Sequence, residues 1–320
     1  MATFTALTEV DLQALLAAYS FGDLSAFRGV PAGSVNSNFA LEIGSQKLFL
    51  RVYEEQDAAG AGDEAALLTL LASRGVKTPA PLARRDGALV SEVQGKPAAL
   101  FPWMDGTIRC QASVTPADAR GVGLALAQIH LAGAGATRSE GRFRARDLFS
   151  RLDRIELAPN AELAAQAAPL RDELGAWTSL RDPSLPRGLV HGDLFRDNVL
   201  WAGPEIRALL DFESASDGVL AYDLMVTLLA WCVGDDLDTD LARAMILGYQ
   251  SVRALTENEK NGLCAEGCAA ALRFTITRIT DYAMRAGVGP RVIKDWKRFS
   301  LRFSRLKELG NTGLVRALGL

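Results

Sequence analysis

The chain of 320 residues has almost no charge imbalance, since 35 Lys and Arg face 38 Asp and Glu for a net charge of −3. No global basic field is present to hold a nucleic acid backbone or an anionic membrane surface, so neither is an expected partner. Cysteine is scarce: Cys110, Cys232, Cys264 and Cys268 are too few and too unevenly spread for a disulfide scaffold. Cys264 and Cys268 lie one helical turn apart, but no second pair and no nearby histidine completes a zinc site. All four read as buried or half-buried thiols of a reducing cytoplasm. Long apolar runs are missing too; the longest, over 219–233, is interrupted by Asp223 and falls short of a spanning helix. Met1-Ala2-Thr3-Phe4-Thr5 offers neither the basic segment nor the apolar core of a secretory signal, so a soluble, cytoplasmic chain is expected. Several familiar motifs are absent. Gly95-Lys96 has no glycine five residues earlier and is followed by Pro97, which rules out a Walker A loop, and no G-x-S-x-G string marks an α/β-hydrolase.

What is present is ordinary globular material. Hydrophobic residues make up 49% and charged ones 23%, enough apolar surface to exclude disorder over most of the chain. The first third reads as strands and turns around a helix or two. Thr8 opens an N-terminal helix, with Leu12, Leu15, Leu16 and Tyr19 at helical spacing. Strands are predicted over 37–43 and 47–53, joined by Gly44-Ser45, then a helix over 63–74 and short strands over 89–93 and 97–101. From about residue 104 helices dominate, over 117–132, 147–156, 161–177, 221–233, 239–249, 257–285 and 290–308. A compact region of short strands, 188–212, interrupts them. The Ala/Gly-rich stretches 58–62 and 132–136 read as loops, Gly121-Val122-Gly123 as a packing feature inside a helix, and His130 as a core or helix-capping histidine. The fold class expected is α+β, with domains 1–103 and 104–320.

The segment that carries chemistry is His191-Gly192-Asp193-Leu194-Phe195-Arg196-Asp197-Asn198-Val199-Leu200, with Asp211 thirteen residues after Asn198 at the end of an apolar run. An aspartate on a loop, an amide five positions on and a second carboxylate supply three oxygen-bearing side chains. Mg²⁺ takes oxygen ligands and keeps several waters, so Asn198 and Asp211 with nucleotide phosphates suffice for it. Asp193 is then free to accept a proton from a hydroxyl, which is the division of labour in phosphoryl transfer.

This segment resembles the H-G-D-x-x-x-x-N loop of the aminoglycoside phosphotransferase and choline kinase group of small-molecule kinases. Gly33-Ser34-Val35-Asn36-Ser37-Asn38-Phe39, Asp193 to Leu200, Tyr222-Asp223-Leu224, Phe27-Arg28-Gly29 and Arg273-Phe274 with Arg278 are similar to the homoserine kinases of that group. The resemblance spans essentially the whole chain. It implies a bilobal protein-kinase-like fold, with a small antiparallel β-rich N-lobe that binds nucleotide and a larger, mostly helical C-lobe. It implies ATP and Mg²⁺ as cofactors and transfer of the γ-phosphoryl group to L-homoserine, in a monomer or homodimer. Another small alcohol, such as an aminoglycoside, choline or methylthioribose, is the alternative acceptor. By the same resemblance Asp193 is the catalytic base, Asn198 and Asp211 are metal ligands, and His191 and Asp223 are structural. Ser34, Asn36, Ser37 and Asn38 cover the nucleotide phosphates, and Phe101 and Trp103 are placed with the nucleotide. Arg51 stands where protein kinases have a lysine, with Glu64 as its partner; an arginine forks onto phosphate oxygens and keeps the role. For the acceptor, Arg196 lies three residues from Asp193, while Arg278 and Asp281 offer opposite charges at i and i+3 of one helix.

Overall fold

Thr8 begins the ordered chain in the way its sequence predicts. In the computed structural model, which describes residues 5–30, 35–136, 140–285 and 294–320, its hydroxyl accepts from the Asp11 N–H. The Asp11 carboxylate reaches back to the Thr8 N–H, closing a capping box on α1 (Glu9–Leu16). Strands β1 (Ala26–Gly29), β2 (Ser37–Ile43) and β3 (Gln46–Val52) follow, then α2 (Ala58–Ser73), β4 (Ser91–Val93) and β5 (Lys96–Pro102). The five strands form one antiparallel sheet in the order β1-β2-β3-β5-β4. Alternation along β2 and β3 sends Phe39, Leu41, Leu48, Leu50 and Val52 into a core shared with Leu12, Leu15, Leu16 and Tyr19 of the N-terminal segment. Helix α2 starts five residues before the expected 63, because Asp57 caps it by accepting from the Gly60 N–H. The stretch 58–62 is therefore helix, not loop.

These elements, with Arg207–Leu210, make the first of two compact units; Thr107–Ile206 and the described residues from Asp211 onward make the second. The second unit contains α3 (Pro116–Ala132), α4 (Ala145–Glu156), α5 (Ala161–Ala164) and α6 (Ala167–Ser179). The single helix expected over 161–177 is broken at 165–166. Pro169 cannot donate to, and would clash with, the Ala165 carbonyl, so the chain restarts and leaves Pro169 in the first turn of α6, where no N–H is needed. Strand β6 (Arg187–Val190) leads into the motif segment, followed by β7 (Val199–Ala202), β8 (Glu205–Leu209) and β9 (Ser216–Val219). β6 pairs with β9, and β7 with β8. Helices α7 (Leu220–Trp231), α8 (Thr239–Gln250), α9 (Glu257–Asp281) and α10 (Lys297–Leu318) complete the chain. α9 ends at Asp281, short of the expected 285; α10 runs ten residues past the expected 308 through a kink at Gly310, burying Leu314 and Leu318, while 290–293 lie outside the described residues.

Gly123 explains its own pair: a Cβ there would strike the Met245 carbonyl, so α3 and α8 cross backbone to backbone. Among the cysteines the expectation fails once. Cys232, Cys264 and Cys268 are buried, but Cys110 is exposed, standing just before a short turn that packs no apolar face over it. No described helix is long and apolar enough to cross a membrane.

Candidate active site

The turn after β6 is held from within the second unit by one carboxylate. Asp223, in the first turns of α7 and fully buried, accepts from the backbone N–H of His191 and of Gly192, both at 2.7 Å. It also accepts from His130 Nε2 at 3.0 Å. Arg253 donates to the Tyr249 hydroxyl (3.0 Å), which in turn lies 2.8 Å from His130 Nδ1, so the ring is held at both nitrogens. Burial pushes the Asp223 carboxyl up, but the His130 hydrogen bond and the Gly192 N–H outweigh it and hold the group below the usual carboxylate range. His191 is buried, with its ring 4.5 Å from that of Phe212, and its Nδ1 accepts the Asp193 N–H at 3.3 Å. Gly192 has φ +74°, and a Cβ there would lie 3.0 Å from the Ser214 carbonyl, so only glycine fits this turn.

Two of the motif's three oxygen-bearing residues, Asp193 and Asn198, lie on the segment this clamp secures, while Asp211 follows β8 and acts on Asp193 through its charge. Asn198 Nδ2 donates to the Asp193 carbonyl at 2.8 Å, a bond that does not use its own amide oxygen. Asp193 is half-buried, and no described residue donates a hydrogen bond to its carboxylate; the nearest cation, Arg273 Nη1, is 3.7 Å from Oδ1. Burial raises the Asp193 carboxyl, Arg273 and Lys294 lower it, and Asp211 raises it again. Asp211 itself sits at φ 63°, ψ 64°, a left-handed conformation rare outside glycine, with Oδ1 buried and without a hydrogen-bond partner. That amide oxygen and an unsatisfied buried carboxylate oxygen fit a hard divalent cation that takes its other ligands from water and phosphate. Among the described residues no group of three His, Cys, Asp or Glu could hold a metal by side chains alone.

In the first unit Arg51, on β3 opposite Asn38 and Ala99, meets Glu64 of α2 at 3.0 Å, with side-chain exposures of 15% and 6%. This is a half-buried pair, unlike a solvated surface contact. Asn36 and Ser37 are engaged near the end of β3: Asn36 Oδ1 accepts the Glu54 N–H (3.2 Å), and Ser37 donates to the Glu54 carboxylate. Asn38 Nδ2 is 3.5 Å from the Asn36 carbonyl. Phe101 is buried in β5, 6.3 Å from the Phe49 ring, while Trp103 donates to Asp105 and carries Lys47 Nζ 4.2 Å over its ring. Ser34 and Gly33 lie outside the described residues.

The expected acceptor residues are distributed less simply. Arg196 donates to the Ala230 carbonyl, and Arg278 to the Asp295 carbonyl at 2.8 Å while lying over the Phe299 ring. Asp281 binds Arg151 at 2.6 Å, so it and Arg278 do not face each other as an ion pair. Two cations outside the expected acceptor set stand near Asp193: Arg273, already part of the resemblance, against the Phe143 and Phe274 rings, and Lys294, which the sequence did not single out, 3.7 Å from Asp197. A signal for the first exists, because an arginine in the otherwise apolar run of α9 from Gly267 to Phe274 is a buried charge that needs a reason.

Comparison with known proteins adds three findings. The profile of the family described as phosphotransferase enzyme family matches residues 26–255. Homoserine kinases of Rhizobium etli and Methylocella silvestris are 35% and 34% identical to this chain. The alignments span 89% of both chains in the first case, and 100% of this chain and 99% of the relative in the second. An amicoumacin kinase solved with AMP-PNP and Ca²⁺ superposes with a TM-score of 0.70 at 12% identity, over 95% of this chain and 93% of that one; it shares the protein-kinase-like α+β fold.

Proposed function

The chain belongs to the phosphotransferase enzyme family, and from that membership we propose that it transfers the γ-phosphoryl group of ATP to the side-chain hydroxyl of L-homoserine. The observation that carries the reading is the Asp193 carboxylate, clamped through its loop by Asp223 yet accepting no hydrogen bond from the described residues. Asp193 orients the acceptor hydroxyl and takes its proton as the oxygen attacks the γ-phosphorus. Asn198 and Asp211 hold Mg²⁺, which offsets the charge of the phosphates when bound. Arg51, kept in place by Glu64, would supply a cation to the phosphate oxygens, and Ser34, Asn36, Ser37, Asn38, Phe101 and Trp103 would complete the nucleotide's contacts. Arg196 and Arg278 contribute positive field on the acceptor side, and Asp281 is neutralised there by Arg151. Lys294 and Arg273 strengthen that field, which favours an acceptor bearing a carboxylate, as zwitterionic L-homoserine does, over a cationic antibiotic or choline that has none.

An ATP-consumption assay across L-homoserine, choline, an aminoglycoside and methylthioribose tests the reading. Fastest turnover with L-homoserine is expected; none with it, alongside turnover of another alcohol, would overturn the acceptor and leave the reaction class standing.

A further inference from the structure

A cavity of about 290 Å³ lies in the second unit among α4, α6, α9 and the β6–β9 pair, and four arginines line it. Three of them are spent on carboxylates. Arg181 forks onto Glu266 at 2.8 and 2.6 Å, Arg187 binds Asp217 at 3.0 and 2.6 Å, and Arg144 binds Asp147 at 3.0 Å and Glu140. The fourth, Arg273, is different. It is 4% exposed, its Nη1 donates to the Gly192 carbonyl at 3.3 Å, and no carboxylate lies within hydrogen-bond distance. Its Nε is buried without a partner, and among the described residues its side chain makes no hydrogen bond besides the one from Nη1. Nε and Nη2 form the side-on fork of the guanidinium, the edge whose two parallel N–H groups match a carboxylate. The Phe143 and Phe274 rings, 3.9 and 3.8 Å from its carbon, fix the plane of that fork before any ligand arrives. Its nearest carboxylate, Asp193, stands off the other edge at 3.7 Å, so the fork of this buried cation still favours an anion.

We propose that Arg273 anchors the carboxylate of the acceptor amino acid in this cavity, an assignment that rests on the function inferred above and names the group that recognises its substrate. The opposite edge of the same guanidinium stands 3.7 Å from Asp193 Oδ1. Gly192, whose carbonyl Arg273 Nη1 holds, lines the cavity next to Asp193 in sequence, and a four-carbon hydroxy amino acid spans about 5 Å from hydroxyl to carboxylate, the reach this assignment requires. Arg273 takes no part in bond making. It orients the substrate and excludes acceptors that carry no anion.

The test compares L-homoserine with its carboxamide, which keeps the hydroxyl and the amine but loses the charge. Wild-type enzyme should favour the acid about 10- to 100-fold in kcat/KM, the span expected of a charged bidentate contact. Arg273→Met should abolish that preference through the KM for L-homoserine while leaving the KM for ATP and the melting temperature in place. Arg273→Lys, with charge but no fork, should restore part of it. Calorimetric binding of the two ligands to wild-type enzyme gives the same contrast without relying on a variant that folds. A preference undiminished in Arg273→Met, or equal binding of acid and amide by wild type, overturns this assignment alone. Failure of wild type to phosphorylate L-homoserine overturns the functional reading with it.

Discussion

Asp211→Asn should make the ligand-free protein more stable and the enzyme nearly inactive. Asparagine occupies the left-handed backbone at φ 63° as readily as aspartate, so the substitution adds no strain. It removes one of two negative charges that oppose each other across the site, and it relieves a buried carboxylate oxygen that no hydrogen bond satisfies. An unsatisfied buried acceptor costs about 1–3 kcal/mol, more when charged. Asp211 is only half-buried, so the lower end applies, about 1 kcal/mol, which is about 2–4 °C in Tm for a unit of this size. The ligand effect runs the other way. At a hundredfold excess over Kd, Mg²⁺·ATP stabilises the wild type by about 2.7 kcal/mol, and most of that shift should vanish in the variant. With the metal's charge stabilisation lost, kcat should fall roughly 10²-fold or more. Differential scanning fluorimetry with and without Mg²⁺·ATP, beside a coupled assay, reads all three. A variant that melts below wild type without ligand and keeps the full nucleotide shift would refute the assignment of Asp211 as a charge waiting for a cation.

Asp193→Asn should reduce turnover roughly 10²- to 10⁴-fold while ATP still protects the protein against heat, because a general base is lost and no binding group is; near wild-type turnover contradicts the role. Asp223 has its carboxyl held low in the fold, so its contribution is present above the ordinary value near 3.8 and is lost as pH falls through the lower folded value. Asp223→Asn should therefore be destabilised at neutral pH and converge on wild type in acid, as pH-dependent urea unfolding will show; a constant gap at every pH sinks the idea. Gly123→Ala should cost about 1–3 kcal/mol by forcing α3 away from the Met245 carbonyl, seen as a lower urea midpoint, with kcat of the folded enzyme unchanged.

The parts of this fold that a reader can see in the chain are those set by local chemistry. Alternation exposed β2 and β3, Thr8 opened α1, and the spacing from Asp193 to Asn198 described a loop that the Asn198 amide closes onto the Asp193 carbonyl. Boundaries failed where a single residue acts at a distance. Asp57 recruited an Ala/Gly stretch into α2, and Pro169 cut a helix whose apolar pattern runs on undisturbed. The acceptor side was the least legible. Arg278 and Asp281 share a helix and a spacing, yet each is claimed by a group remote in sequence, Asp295 and Arg151. Arg273 needed the fold to show that its neighbours are hydrogen-bonded to carboxylates, while its own nearest carboxylate stands 3.7 Å away and its Nε has no partner.

The chain of contacts from Arg253 through Tyr249 and His130 to Asp223 steadies the reactive loop from the rear, with groups that have no need to meet an acceptor. The cavity wall around Arg273 shares Gly192 and Tyr222 with that clamped region and takes its far side from α4 and α6. Substitutions on α4 or α6 can therefore reshape the wall without breaking the contacts that steady the loop.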